Sequence, residues 1–81
     1  MTVIVEVFVD QLKQARLDRA WTQASLAAAV GISENYYRSI EAGRVLPSAD
    51  LLRRVMIELF VSDPAEIGFK LVVTESVAHV G

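Results

Sequence analysis

One stretch of eight residues, Glu34–Glu41, combines a carboxylate at each end with an amide, two phenols, a hydroxyl and a guanidinium. Side chains of these types suit non-covalent recognition of a polar surface by hydrogen bonds. They do not suit catalysis, because the only histidine of the chain, His79, lies far from this stretch in sequence. The chain also lacks cysteine, a glycine-rich phosphate loop and metal-ligand spacing. We therefore expect a chain that is not an enzyme and that uses no cofactor or metal.

Two short helices joined by a tight turn are predicted to position this stretch. Thr22 is an N-cap residue for a helix over Gln23–Val30, and Ser33 is one for a second helix over Glu34–Glu41. Gly31 ends the first helix, and a three-residue turn containing glycine makes two helices cross steeply. The second helix then projects outward, and its first turn can enter the major groove of DNA, about 12 Å wide. The residues expected to permit this crossing or to pack beneath it are Leu26, Ala27, Ala28, Val30, Ile32, Tyr37 and Ile40.

The rest of the chain is predicted to add two helices, a short helical turn and two strands. Asp10 begins a helix to about Arg19, with Leu12, Ala15 and Leu17 inward, and Ser48 caps another over Ala49–Phe60. A helical turn over Ala65–Gly68 follows. The apolar run Thr2–Val9 reads as a strand, with a helix starting near Glu6 as the alternative, and Phe69–Glu75 reads as a second strand. The residues of the last long helix expected in the core are Leu51, Leu52, Val55, Met56 and Leu59.

The expected fold class is therefore mainly α, with four to five helices and with N- and C-terminal strands in a small antiparallel sheet. Its 81 residues suffice for one domain, 1–81. That domain consists of an N-terminal strand (1–9), a helical core (10–61), and a short helical turn with a C-terminal strand (62–81). Whether the two strands pair within one subunit or between two is left open by the sequence.

Charge is distributed unevenly along the chain. The net charge is −2, yet the segment from Asp10 to Arg54 holds seven cations against five anions, and the remainder holds one against five. A mildly basic middle is compatible with phosphate contact. No apolar run reaches the ~18 residues of a membrane span, and the first residues lack the basic start of a secretory signal. We therefore expect a cytoplasmic protein.

The middle of the sequence resembles the Cro/C1-type, or XRE-like, helix-turn-helix family. This family comprises phage repressors, restriction–modification controller proteins and many small bacterial regulators. The likeness covers about Gln11 to Phe60, and the terminal strands lie outside it. The residues that carry it are Leu12, Arg16, Arg19, Thr22-Gln23, Leu26-Ala27, Val30-Gly31-Ile32-Ser33, Tyr37, Ile40-Glu41, Gly43, Pro47 and Leu51.

The resemblance implies a role for each matching residue. Gln23 matches a glutamine that contacts a backbone phosphate, and Arg16 and Glu41 match a structural ion pair. Arg38 and Arg44 are expected to bind phosphates, whereas Arg53 and Arg54 are expected to form a solvated helix face. Glu34, Asn35 and Ser39 match positions that address base edges, and Tyr36 matches one that contacts either a base or the backbone.

Two residues depart from the family pattern. A carboxylate at Glu34 repels nearby phosphates, so it must either accept a hydrogen bond from cytosine N4 or turn away from the DNA. Asn35, beside it, can bind adenine with two hydrogen bonds. Tyr37 replaces an aliphatic residue and requires a hydrogen-bond partner for its hydroxyl.

The expected function is a homodimeric transcriptional repressor that binds a palindromic site on double-stranded DNA. Repression is the simplest mechanism for so small a regulator, and a dimer is expected because one short helix makes few base contacts. The terminal strands are the expected dimer contact, through Val3, Val5, Val7, Leu71 and Val73. The alternative function is an antitoxin, or another protein-binding module, which uses an exposed strand to bind a partner protein and regulates its own promoter.

Overall fold

The computed structural model describes residues 2–6 and 10–73. Its elements in chain order are a strand β1 (Thr2–Glu6), helices α1 (Asp10–Asp18), α2 (Gln23–Val30), α3 (Glu34–Glu41) and α4 (Ala49–Leu59), a 3₁₀ helix (Pro64–Ile67) and a strand β2 (Phe69–Val73). The predicted bounds of α2 and α3 are confirmed. The expected mainly helical class is confirmed as well.

The three helices α2, α3 and α4 begin at the predicted N-cap residues. The hydroxyls of Thr22, Ser33 and Ser48 each accept a hydrogen bond from the amide three residues later. At α2 the Ser25 hydroxyl returns the interaction by accepting from the Thr22 amide at 3.0 Å. These caps satisfy helix amides that have no partner inside the helix, so the starting residue of each helix is set locally.

Helix α2 ends where Gly31 adopts a left-handed conformation with φ of 80°. Its amide donates to the carbonyl of Ala28 at 3.2 Å, and the Ile32 amide donates to that of Ala27 at 3.0 Å. Helix α4 ends one residue earlier than predicted, because Phe60 takes up a left-handed conformation with φ of 56°. A residue with a side chain adopts this conformation at a steric cost, so glycine is the usual residue at such a helix end. Because Phe60 is not a glycine, this end of α4 could not be recognised from the sequence.

All four helices, the 3₁₀ helix and β2 contribute to one hydrophobic core. Its largest fully buried side chains are Tyr37, Phe69, Leu12, Leu26, Leu59, Ile67 and Val30. One expectation about the core was wrong, and one of the two alanines expected at the helix crossing is exposed. Leu17 is 49% exposed because it lies five residues after Leu12 and therefore points away from the core-facing stripe of α1. Ala28 is exposed as well, so Ala27 alone of the two alanines is buried in the core.

The strands β1 and β2 pair antiparallel within the chain, with Thr2 opposite Val73, Ile4 opposite Leu71 and Glu6 opposite Phe69. The described strands match the expected strands Thr2–Val9 and Phe69–Glu75 as far as Glu6 and Val73, and the remaining expected residues lie outside the described ranges. Ile4 packs partly buried against the helical core, which fixes the sheet to the helices. Val7, which was expected at a dimer contact, lies outside the described residues, as does His79.

Within these described ranges, no helix has both the length and the apolar character that crossing a membrane requires.

Candidate nucleic-acid interface

Helix α3 is supported from beneath by buried apolar side chains. Tyr37 and Ile40 are 0% and 3% exposed, and they join Leu26, Ala27 and Val30 of α2 in the core. Ile32, in the connecting turn, is only partly buried against the same cluster. Because one side of α3 is fixed in this way, its opposite side is presented to solvent on a rigid support.

The solvent side of α3 carries the residues that were expected to recognise DNA. Asn35 and Arg38 are exposed, Tyr36 is 38% exposed, and Glu34 and Ser39 are half-buried. The Ser39 hydroxyl donates to the backbone carbonyl of Asn35 at 3.1 Å, so its proton is used within the helix and its lone pairs are left to accept. The adjacent tyrosines differ completely in exposure, since Tyr36 lies at the surface and Tyr37 is sealed in the core.

Arg16 and Glu41 form a buried ion pair between α1 and the end of α3. The Arg16 Nε and Nη2 atoms donate to the two carboxylate oxygens at 2.8 and 3.0 Å. The remaining guanidinium nitrogen, Nη1, donates to the Trp21 carbonyl at 2.8 Å. The side chains are 7% and 4% exposed, so the pair is shielded from water and its two hydrogen bonds fix the orientation of both groups.

Tyr37 and Gln23 complete the coordination of the Glu41 carboxylate. The Tyr37 hydroxyl donates to Oε2 at 2.7 Å, which supplies the partner that the sequence required, and Gln23 Nε2 donates to Oε1 at 3.0 Å. Burial raises the pKa of Glu41, but the hydrogen bonds from Arg16, Tyr37 and Gln23 outweigh it, so the pKa is lowered. Burial and the bond to Glu41 raise the pKa of Tyr37. Glu41 is therefore ionised and Tyr37 protonated at neutral pH.

Gln23 also connects this buried pair to the surface of α3. Its amide oxygen accepts from Arg38 Nε at 3.1 Å, and Arg38 Nη2 donates to Glu34 Oε2 at 2.5 Å. A continuous chain of hydrogen bonds thus runs from Arg16 through Glu41, Gln23 and Arg38 to Glu34. Both ends of the Gln23 amide are used inside the protein, and Glu34 turns towards Arg38.

The cations near this face occupy two settings. Lys13 of α1 and Arg38 line one open cleft of about 280 Å³, together with Asp10, Gln23, Glu41 and Ala42. Lys13 was not predicted at this surface from the sequence. Its position on α1, three residues before Arg16, is the feature that could have indicated it. Arg44 is exposed in the turn that follows α3, and none of the ion pairs among the described residues includes it.

Three further arginines serve the scaffold. Arg19 Nε donates to the Leu59 carbonyl at 2.6 Å, which joins α1 to the end of α4. Arg54 Nη1 donates to the Val30 carbonyl at 2.9 Å, which joins α4 to the end of α2. Arg53 and Arg54 both pair with Asp50, and these contacts lower the pKa of the Asp50 carboxyl. Arg54 is thus more than a solvated side chain, because it satisfies an open carbonyl at a helix end.

Known proteins resemble the chain in sequence pattern and in fold. The family model described as "Helix-turn-helix" matches residues 12–64, which is more than half of the chain. No curated protein matches the chain significantly. Among solved structures, the restriction–modification controller protein C.AhdI from Aeromonas hydrophila superposes with a TM-score of 0.66 at 22% identity, over 73% of this chain and 88% of that chain. At that identity the likeness concerns the fold, whereas the family match concerns the sequence itself. The chain belongs to the Cro/C1-type, or XRE-like, helix-turn-helix family of DNA-binding transcriptional regulators.

Proposed function

We propose that this chain is a homodimeric repressor that reads a palindromic DNA site by inserting α3 into the major groove. The observation that carries the proposal is the exposed first turn of α3, where Asn35 and Tyr36 stand above a core that holds Tyr37 and Ile40. A helix presented in this way reaches base edges, which are the part of DNA that specifies sequence.

The side chains on this face divide between bases and phosphates. Asn35 suits adenine, whose N6 and N7 atoms it can bind together, and Tyr36, Ser39 and Glu34 border it on the same face. Gln23, Arg38 and Arg44 are the proposed phosphate contacts, and the position of Lys13 beside Arg38 adds a further cation to them. Because the Gln23 side-chain amide is already bonded at both ends, we assign its phosphate contact to the backbone amides at the start of α2.

Dimerisation follows from the small number of contacts that one short helix makes. Each good base contact contributes only about 1–3 kcal/mol of discrimination, and a second copy one helical turn away doubles the total. The two-stranded sheet formed by β1 and β2 is the proposed contact, through the strands that carry Val3, Val5, Leu71 and Val73. Its strand edges offer backbone groups for pairing with a second copy.

A second candidate surface for protein contact lies at the C-terminal end of α4. Phe60 is 92% exposed and Ile57, three residues earlier on the helix, is 57% exposed. Exposed apolar neighbours of this size favour contact with another protein surface. If the strands form the dimer contact, removing a strand should produce a monomer. If this surface forms the contact, substituting Phe60 should produce one.

Selection of bound sites from random duplex DNA tests the proposal. We expect one enriched motif with two-fold symmetry and half-sites about 10 base pairs apart or a multiple of that spacing. Sedimentation of the free protein, of a variant lacking Thr2–Glu6 and of Phe60→Ser then identifies the dimer contact. A selection that enriches no sequence would contradict the proposed function, and a stable dimer after strand deletion would contradict the proposed interface.

The alternative function, that of an antitoxin, predicts a different outcome in the sedimentation and DNA-binding experiments. A protein whose main partner is a toxin binds that partner through an exposed strand edge, as in strand addition to a sheet. A dimer that is stable alone and binds the selected site with two-fold symmetry favours the repressor. A monomer that dimerises on DNA only when a foreign protein is added favours the antitoxin.

A further inference from the structure

We propose that Glu34 is a specificity-determining residue, which withholds Arg38 from DNA phosphates unless α3 meets a base that can donate a hydrogen bond to the Glu34 carboxylate. This inference rests on the proposed function, because it concerns how the same helix discriminates between DNA sequences. It assigns to one exposed ion pair a role in the discrimination itself.

The geometry of Arg38 carries the inference. Its Nη2 atom donates to Glu34 Oε2 at 2.5 Å, and its Nε atom donates to Gln23 Oε1 at 3.1 Å. The side chains of Arg38 and Glu34 are 57% and 41% exposed, so both can exchange their partner for a group on an approaching duplex. Glu34 therefore neutralises a cation at the surface that is proposed to contact the DNA.

The second support for Arg38 comes from the protein interior. Gln23 presents its oxygen to Arg38 because its Nε2 donates to Glu41, whose carboxylate is held by Arg16 and Tyr37. Arg38 is thus held on its Gln23 side by an amide that the buried pair orients, and on its Glu34 side by an exposed carboxylate. A phosphate that binds Arg38 competes with Glu34 for the charge of the guanidinium.

That competition has a different result on different DNA sequences. A phosphate beside Arg38 places a second anion near the Glu34 carboxylate, and like charges at such distances repel. Where a cytosine lies within reach, its N4 amino group donates to the released carboxylate and offsets the loss. Where no donor is present, the carboxylate stays close to phosphates without a partner. Glu34 therefore acts mainly by weakening binding to incorrect sequences, which is a recognised route to specificity.

The test compares wild type with Glu34→Gln and with Glu66→Gln, each measured on the selected site and on random duplex DNA at one salt concentration. Glu66 is an exposed carboxylate on the 3₁₀ helix, so its substitution makes the same change in net charge away from α3. We expect Glu34→Gln to bind random DNA several-fold more tightly. We also expect its ratio of specific to random affinity to fall by about fivefold or more, the lower bound for one base contact. Glu66→Gln should leave that ratio unchanged.

A second comparison shows whether Arg38 is the group that Glu34 withholds. In an Arg38→Gln background, Glu34→Gln should raise random-DNA affinity less than it does in the wild type, because only the direct repulsion between the carboxylate and phosphates is left to relieve. Equal gains in random-DNA affinity in both backgrounds would overturn the inference and indicate a general charge effect. A ratio of specific to random affinity in Glu34→Gln equal to that of the wild type would also overturn it. These results require a site selected by the wild type. A wild type that selects no site contradicts the proposed function itself.

Discussion

Helix α3 takes part in two arginine–carboxylate pairs that share their chemistry and differ in their surroundings. Arg16 and Glu41 have side chains 7% and 4% exposed, and Glu41 also accepts from Tyr37 and Gln23. Arg38 and Glu34, one helical turn apart, are 57% and 41% exposed. Burial makes the first pair a fixed part of the scaffold, whereas exposure leaves the second pair free to exchange partners. The position of a pair relative to water thus decides whether it is fixed within the fold or can exchange partners, and the exposed pair is the one we propose for recognition.

Breaking the buried pair should have the largest effect on stability. Glu41→Gln keeps the shape of the side chain but leaves Arg16 as a buried cation without a counter-ion. We expect the free energy of unfolding to fall by about 3–5 kcal/mol, because removing one partner of a buried pair carries that penalty. Urea unfolding followed by circular dichroism measures this loss. A loss below 1 kcal/mol would mean that the buried pair contributes as little to stability as the exposed pair.

Removing one donor from the same carboxylate should have an intermediate effect. Tyr37→Phe deletes the hydroxyl that donates to Glu41 Oε2 at 2.7 Å and changes little else in the core. A hydrogen bond to a charged group contributes about 1.5–3 kcal/mol, so we expect a loss of about 2 kcal/mol in the same urea experiment. In Glu41→Gln the same tyrosine substitution should cost less, and an equal cost in both backgrounds would show that the phenol does not act through Glu41.

The pH dependence of stability distinguishes the ionised Glu41 from a neutral one. The folded-state pKa of Glu41 lies below its ordinary value of 4.5. Its ionised form therefore stabilises the fold fully above about pH 4.5, and this contribution is lost as pH falls through the folded-state pKa. The wild type should lose stability more steeply in acid than Glu41→Gln, by at most ~1.4 kcal/mol per pH unit for one proton. Unfolding measured from pH 7 to pH 3 checks this, and parallel curves for the two proteins would refute it.

The exposed pair should contribute least to stability. Glu34→Gln removes the charge that pairs with Arg38, and exposed pairs separated by four helix positions contribute about 0.3–0.5 kcal/mol. We expect the free energy of unfolding, measured in urea, to fall by no more than this amount. A loss above 1 kcal/mol would mean that Glu34 supports the fold, which would remove the contrast between the two pairs.

Helix boundaries were predictable from the sequence because their signals are local. Thr22, Ser33 and Ser48 are hydroxyl residues placed directly before helical stretches, and Gly31 supplies the left-handed end of α2. Each of these signals acts within four residues, so no knowledge of the tertiary structure is needed. The end of α4 at Phe60 has no such signal, and its prediction was one residue too long.

The connectivity of the candidate site was predictable only in part. The resemblance suggested Arg16 and Glu41 as partners, but no local rule relates Gln23 to Arg38 or to Glu41, which lie 15 and 18 residues away. Those contacts exist because α2 and α3 pack closely, and the rotamers that make them depend on the packing. The sequence indicated that Glu34 must meet a base or turn away, and the fold supplies Arg38 as its partner.

The central claim is that the first turn of α3 reads DNA sequence, and the affinity of Asn35→Ala for the selected site and for random duplex DNA tests it most directly. Asn35 is exposed, and its side chain makes none of the hydrogen bonds among the described residues, so the substitution should leave the fold intact. We predict a loss of about 1–3 kcal/mol on the selected site and little change on random DNA. An equal loss on both would contradict the claim, because it would mean that Asn35 does not distinguish one sequence from another.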